Sequence, residues 1–279
     1  MRKSQARTII GIDRGASFTD FGVIESKRLI DHESEENRQW DSICNTYDRL
    51  AEKYHTDHVV FTGSVQGMPA KLAKKIQVIA EIDAVGFGGA ALAALDECVV
   101  VSMGTGTAIV YFADNRARHV GGTGVGGGTI KGLSSLLCHT EDPVQIEIMA
   151  LKGDASHLNL TISDLGYDNI SFLGSDMTAS NFASLKSHSK EDLAAAILSL
   201  VAETVGIIAS LCAREMGCMD KIVMVGKAAQ NRFIRHTLAL VGKLYQTTFI
   251  FPENPGYATV YGAAMKYEFD RINRDQEST

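Results

Sequence analysis

The sequence predicts an α/β protein made of two similarly folded halves with a ligand cleft between them, and three observations carry that reading. The strand, small-residue turn and strand from Ile9 to Ile24 recur from Val99 to Phe112, about 90 positions later, and an internal repeat decides architecture before any single element does. Short apolar strands alternate with segments whose apolar residues return at helical spacing, the mark of layered α/β units. Finally, Cys98 to Gly132 holds two glycine-rich turns around a hairpin and opens into a helix.

The 279 residues suffice for one large or two medium domains with a core that needs no covalent staples. Hydrophobic residues at 45% and charged residues at 22% are ordinary for an α/β chain. A net charge of -6, with no Lys/Arg run long enough to track a phosphate backbone, argues against nucleic-acid binding. Any anionic ligand must therefore be held locally. The cysteines, Cys44, Cys98, Cys138, Cys212 and Cys218, are odd in number and lack a Cys-x-x-Cys pair, so reduced thiols in a cytoplasmic protein are expected. Behind the basic N-terminus the apolar run is only Ile9-Ile10 before Gly11, too short for a signal peptide. Nor does any stretch read as the ~20 apolar residues of a membrane span.

In chain order, Thr8 to Asp13 reads as a short apolar strand ending on a carboxylate, and Arg14 to Ser17 turn it into a second strand, Phe18 to Glu25. A third strand, Lys27 to His32, precedes a helix over Trp40–Tyr54, where Ile43, Tyr47, Leu50 and Ala51 share a face. His58 to Thr62 is a buried strand ending at Gly63-Ser64, and Ile76 to Ile79 is a last short one. The Ala- and Gly-rich stretch from Glu81 to Asp96 suits a helix packed closely between two layers, and the hinge between domains 1–90 and 91–279 is placed along it.

In the second half, a strand from Cys98 stops at Gly104-Thr105-Gly106-Thr107, Asp114-Asn115 turn a hairpin, and a helix begins near Thr129. An insert at about 140–187 reads as a polar subdomain or flap. Ser189, with Asp192 three residues on, caps a long helix through Glu215 that Gly217 ends. Lys221 to Val225 is a buried strand delivering Gly226-Lys227 to a turn. A helix over 231–242, a strand over 247–251 and a helix from Ala258 to Phe269 close the chain. Each half thus reads strand-strand-strand-helix-strand-helix-strand-helix, a ribonuclease-H-like layout duplicated. The cleft between the halves is the expected ligand site, because pockets favour domain interfaces.

Chemistry concentrates at the turns. A turn at 104–107 leaves backbone N–H groups unpaired, and glycines 126–128 make a side-chain-free helix entrance where an anion can meet the positive end of the dipole. Two such places suggest a polyphosphate. Turn-making alone is the competing reading. Yet six of the eight residues from Gly121 to Gly128 are glycine, and at about 0.5–1 kcal/mol each that loss of order implies something besides folding maintains them. Neither familiar phosphate loop is present, since Lys131 does not stand in Gly-Lys-Ser/Thr and the glycines follow a hairpin instead of the first strand of a βαβ unit.

Asp13 can hold a Mg²⁺ through water or orient a terminal phosphate, or it can simply form a turn. Ser17 and Thr105 offer hydroxyls to a ligand or to local turn bonds. Glu81, with Asp83 two residues on, reads from spacing alone as an acidic residue in a first helical turn. Arg118 and His119 precede the glycine loop, either as a cation for a transferring phosphoryl group or as solvated charges at a hairpin end.

With Asp13, Glu81 and the Arg118–Gly132 segment in place, the chain resembles the type II (eukaryotic-like) pantothenate kinases of the actin, sugar-kinase and heat-shock ATPase superfamily. The resemblance runs from Gly11 to about Ala264. Its most specific pieces are Ala80-Glu81-Ile82-Asp83-Ala84, Gly104-Thr105-Gly106-Thr107, Val120 to Leu133, Asp176 to Phe182, and Val223 to Gly226. It implies ATP- and Mg²⁺-dependent phosphorylation of pantothenate at its primary alcohol, the first step towards coenzyme A, by a cytoplasmic homodimer with ATP in the interdomain cleft. By position it implies Glu81 as catalytic base and Asp13 at the metal. Asp13, Gly15, Ala16, Ser17, Thr105, Gly106, Gly127, Gly128, Thr129, Gly226 and Lys227 are then expected at the nucleotide, and Arg118, His119 and Gly121 at the acceptor.

The chain departs from the family pattern at four places. Asp13-Arg14-Gly15-Ala16-Ser17 replaces Asp-x-Gly-Gly-Thr/Ser, and His119 stands where the family has Arg before its Val-x-Gly segment. Gly226-Lys227-Ala228 replaces Gly-Ser/Gly-Ser/Ala, and Thr62-Gly63-Ser64 replaces Thr-Gly-Gly. Alternatives to the pantothenate kinase are a related superfamily kinase acting on another small alcohol or sugar, and an ATPase switch that drives a partner protein.

Overall fold

A computed structural model of the chain describes residues 7–36, 39–171 and 173–277, and in it the sequence repeat becomes two five-stranded sheets of matching connectivity. The first half contains β1 (Thr8–Arg14), β2 (Phe18–Glu25), β3 (Arg28–Glu36), α1 (Trp40–Tyr54), β4 (Val59–Gly63), α2 (Ala70–Ala73), β5 (Gln77–Val78) and α3 (Glu81–Ala93). The second contains β6 (Cys98–Met103), β7 (Thr107–Ala113), β8 (Arg116–Thr123), α4 (Gly127–Cys138) and α5 (Pro143–Ala150). Then come the short insert strands β9 (Leu160–Thr161), β10 (Asn169–Ile170), β11 (Leu173–Gly174) and β12 (Thr178–Ser180). The chain closes with α6 (Lys190–Glu215), β13 (Ile222–Val225), α7 (Arg232–Tyr245), β14 (Phe249–Ile250) and α8 (Ala258–Glu277).

The sheet orders, β3-β2-β1-β4-β5 and β8-β7-β6-β13-β14, correspond strand for strand. In both, the first strand pairs antiparallel with the second and parallel with the fourth. Some boundaries differ from the sequence reading. The third strand continues to Glu36 because its alternating side chains stay paired with β2 as far as Phe18, whereas the last strand shortens to the two residues that reach β13. The closing helix runs on past Phe269, supported by the Lys266–Asp270 and Arg271–Asp275 pairs one turn apart.

Both faces of the central strands are buried, which explains why they are near-continuous apolar runs, whereas the outer strands β3 and β8 stay largely exposed. Ile10, Ile12, Phe21 and Val23 pack on Ile43, Tyr47 and Leu50 of α1. On the opposite face Ile9, Ile24 and Val60 lie under α8, α8 packs on α3, and α3 meets Cys98, Val100, Val110 and Val223 of the second sheet. The far face of that sheet, with Val99, Val101 and Met103, packs on Ile197 and Val201 of α6 and Leu238 of α7. The order of layers is therefore α1, first sheet, α3 with α8, second sheet, then α6 and α7. Helix α8, although last in the chain, lies against β1, β2 and β4.

The small residues of α3 are needed at its crossing with α8. A Cβ on Gly88 would lie 1.9 Å from the Ala258 carbonyl oxygen, and one on Gly262 1.9 Å from that of Ala84. The two backbones touch.

By length and composition α6 would qualify to cross a bilayer, but most of its apolar residues, Ile197, Leu198, Val201 and Val205 among them, are buried in the core with the second sheet. The insert is anchored to this helix. Asp192 accepts from the Asp154 N–H at 2.7 Å and lies 3.0 Å from His157 Nδ1, bonds that hold its carboxyl well below the usual range. Thr178 donates to Glu203 at 3.0 Å.

The crossing predicts a contrast between two Gly→Ala variants in chemical denaturation. Gly262→Ala pushes a methyl into a backbone carbonyl and loses about 3 kcal/mol or more. Gly132→Ala, whose added Cβ meets nothing inside α4, gains up to about 1 kcal/mol. Equal midpoints for the two variants would contradict the crossing.

Candidate active site

The carboxyl ends of β1 and β4 from one sheet, and of β6 and β13 from the other, open into one cleft of about 2220 Å³. Pockets for single small ligands run to about 300–1,000 Å³, so the cleft has room for more than one small molecule. The tips of the equivalent turns meet across it, with Ser17 Oγ 3.3 Å from Thr105 Oγ1. A second equivalence lies one strand over. Gly63, at φ +83°, and Gly226, at φ +91°, each abut the end of the neighbouring strand. A Cβ on either would come within 2.4 Å of the carbonyl oxygen of Arg14 or Met103 respectively. Only glycine holds that position without strain.

The glycine loop serves a different purpose from the one its sequence suggests. Gly127 and Gly128 donate their N–H groups to the carbonyls of Gly104 and Thr105, both at 2.8 Å, and added Cβ atoms would lie 2.8 Å from Gly104 O and Thr105 Cγ2. Thr107 adds a bond from its hydroxyl to Val125 O at 2.8 Å. The N–H groups expected to meet an anion are thus spent docking α4 onto the β6–β7 turn. Gly15 likewise donates its N–H within its own turn, to Phe18 O. What these glycines give the cleft is a wall without side chains.

Charge gathers on the first sheet's side. Asp13 and Asp20 are cross-strand partners on β1 and β2, and Glu81 opens α3 at the cleft. Burial above all, then the charges of Asp20 and Glu81, push the Asp13 carboxyl up to about 7, with Lys227 acting in the opposite direction. Lys227 comes from the turn after β13 and reaches the other half of the molecule. Its Nζ is 2.8 Å from Asp20 Oδ1 and 2.6 Å from Ser34 Oγ, and 3.9 Å from the centroid of the Phe18 ring.

Of the residues expected from the sequence, Asp13, Gly15, Ala16, Ser17, Glu81, Thr105, Gly106, Gly127, Gly128, Gly226 and Lys227 line this cleft. Thr129 does not; its hydroxyl accepts from the Gly126 N–H at 3.2 Å and donates to Gly124 O at 3.3 Å, closing the turn before α4. Arg118 turns to Met216 Sδ at 3.1 Å and lies over the Tyr111 ring. His119 is exposed on β8. Gly121 lets α6 approach, since a Cβ there would stand 2.9 Å from Cys212 Sγ. Sequence reasoning missed Asp20 and Ser64–Gln66. Asp20 was recoverable by pairing the Asp13 strand across its turn; no local signal marks the others.

The Fumble family model matches residues 94–266, more than half of the chain. The chain belongs to the Fumble family. Among curated relatives, a type II pantothenate kinase of Oceanobacillus iheyensis is 28% identical over 270 residues, covering 92% of this chain and 98% of that protein. One of Bacillus thuringiensis subsp. konkukian is 28% identical over 269 residues, covering 92% and 96%. Solved structures share the fold at lower identity. The activator of the 2-hydroxyisocaproyl-CoA dehydratase from Clostridium difficile with bound ADPNP superposes with a TM-score of 0.69 at 17% identity, covering 98% of each chain. A ROK family glucokinase from Streptomyces griseus in complex with glucose and AMPPNP gives 0.62 at 12%, covering 93% of this chain and 98% of its own. This Fumble-family chain thus shares the two-sheet α/β fold of these solved structures.

The Asp13 environment sets a pH dependence in the ligand-free protein. A carboxyl that titrates at about 7 folded, against 3.8 by itself, binds its proton more tightly in the folded state. Its contribution to stability is present below about pH 4 and is lost as pH rises through about 7. Asp13→Asn, with no charge to lose, therefore gains stability relative to the parent between about pH 4 and pH 8 in denaturant titrations. A difference that stays constant over that range would contradict the assignment.

Proposed function

We propose that this protein is an ATP-dependent kinase that phosphorylates pantothenate at its primary hydroxyl. The observation that carries it is the meeting of the Ser17 and Thr105 turns in a cleft that also holds the Glu81 carboxylate. The Fumble family and relatives covering nearly the whole chain support the choice of acceptor.

Transfer of a phosphoryl group to an alcohol needs alignment, charge neutralisation and an acceptor for the hydroxyl proton. The turns at 15–17 and 104–106 hold the ATP phosphates from two sides, with the Ser17 and Thr105 hydroxyls at their tips. Gly226 and Lys227 close the nucleotide side and the glycine wall at 127–128 bounds it. Glu81 takes the proton of the pantothenate hydroxyl as its oxygen bonds the γ-phosphorus, the bond to the β–γ bridging oxygen breaks, and ADP leaves. Asp13 feels the charges of Asp20 and Glu81, with Lys227 as counter-charge; no three carboxylates are grouped closely enough to cage an ion among the described residues, and a single carboxylate suits a hard cation that keeps most of its water. Asp13 would hold Mg²⁺, which supplies neutralisation of the phosphate charge. Arg118, His119, Gly121 and Thr129, which do not line the cleft, are left out of the proposed machinery.

Residues 1–90 and 91–279 are the proposed domains, hinged along α3, with α8 returning to the first sheet. The reading extends to a cytoplasmic homodimer. The cytoplasm is supported by five free thiols, Cys98 among them pushed up to about 12 by burial; the dimer rests on the family resemblance.

Incubation with MgATP and pantothenate, beside a panel of other alcohols and amino sugars, is expected to release ADP and a phosphorylated product with pantothenate foremost. Glu81→Gln lowers kcat about 10³-fold, while the calorimetric Kd for MgADP moves by less than about twofold because Glu81 acts on the acceptor. Preference for a sugar, or an undiminished kcat in the variant, would overturn the proposal.

A further inference from the structure

A cation placed next to a phosphate-binding turn should serve the phosphates, yet the Arg14 guanidinium is engaged by main-chain carbonyls and an indole. Its Nη1 donates to the carbonyls of Gln66 at 3.1 Å and Ser64 at 3.4 Å, and its guanidinium carbon lies 4.4 Å from the centroid of the Trp40 ring. The Trp40 indole N–H donates to the same Gln66 carbonyl at 3.0 Å. The main chain joins in, because the Arg14 carbonyl accepts from the Ser64 N–H at 3.0 Å, an approach that the positive φ of Gly63 permits. Gly67, at φ +73°, completes the turn against Trp40.

Ser64 and Gln66 line the cleft with Asp13 and Glu81. One residue therefore belongs to two parts of the cleft, by its backbone to the Gly15–Ser17 turn and by its guanidinium to the wall at Ser64 and Gln66. A planar guanidinium can reach two carbonyls while resting a face on an indole; an ammonium cannot do both.

We propose that Arg14 is a positioning residue that couples the two substrate sites. It holds Ser64–Gln66 as a neutral, hydrogen-bonding wall for a hydroxyl- and amide-bearing acceptor, and it passes nucleotide docking at Gly15–Ser17 to that wall through Trp40. The coupling rests on the kinase reading of the cleft.

Trp40 is the only tryptophan in the sequence, so emission excited at the red edge of tryptophan absorption, where the tyrosines do not absorb, reports this junction alone. MgADP is expected to change the Trp40 emission of the unaltered protein. In Arg14→Ala that response disappears although calorimetry still records MgADP binding. The KM for pantothenate rises about tenfold while that for ATP moves less than about twofold, the mark of lost acceptor alignment. Arg14→Lys, which keeps the charge, gives the same split to a smaller extent and serves if the alanine variant does not fold. An emission indifferent to MgADP in the unaltered protein, a response that survives in Arg14→Ala, or a parallel rise in both KM values would overturn the proposal. Should pantothenate not be turned over at all, the proposed function fails while the emission and calorimetry still judge Arg14.

Discussion

Helices α3 and α8 cross with the backbone of each filling the space that a methyl group would need on Gly88 or Gly262 of the other. That contact sets the distance between the two sheets, since α3 and α8 together form the layer that separates them. A wider layer would part the strand ends, and with them the Ser17 and Thr105 hydroxyls that meet at 3.3 Å. Glu81 begins the first of these helices. The carboxylate proposed as base is therefore carried by the same element that joins the halves, so a change in their relative position changes its approach to the acceptor.

The cleft concentrates negative charge where the proposed nucleotide would bind. Burial and neighbouring carboxylates raise Asp13 toward neutrality, and Lys227 crosses from the second half to Asp20. Both features limit the repulsion that polyphosphate would otherwise meet. The second position after β13, small in the pattern the chain resembles and lysine here, thus carries a countercharge into the first half in addition to any role at the nucleotide.

Local chemistry made much of the fold legible. Asp114 and Asn115 turn the β7–β8 hairpin in the left-handed conformation their side chains tolerate, Ser189 accepts from the Asp192 N–H as a helix cap, and the repeat gave both sheets. Non-local pairing was not legible. Nothing in Ala258–Glu277 says that it covers the first sheet and not the second. In the glycine loop the residue type was read correctly and its purpose was not, because whether an N–H faces a ligand or the Gly104 carbonyl depends on a contact 23 positions away. The face occupied by Arg118 and His119 follows from a bulge opposite Ile109 and Val110, where Gly121 and His119 are the paired residues and Val120 is the extra one. One additional residue reverses the alternation of a strand, and no residue type announced it.

The return of α8 to the first sheet also orders the birth of the molecule. Ile9, Ile24 and Val60 belong to strands made early, yet the helix that covers them is the last segment of the chain. During synthesis the first sheet can pair its strands and gather α1, but its inner face waits for α8, made about 200 residues after β4. The Asp13 turn and Glu81 are thus present as sequence long before they can be brought together as a site, and a chain cut short within its last twenty residues would lose the first sheet's inner cover while keeping every residue of the first half.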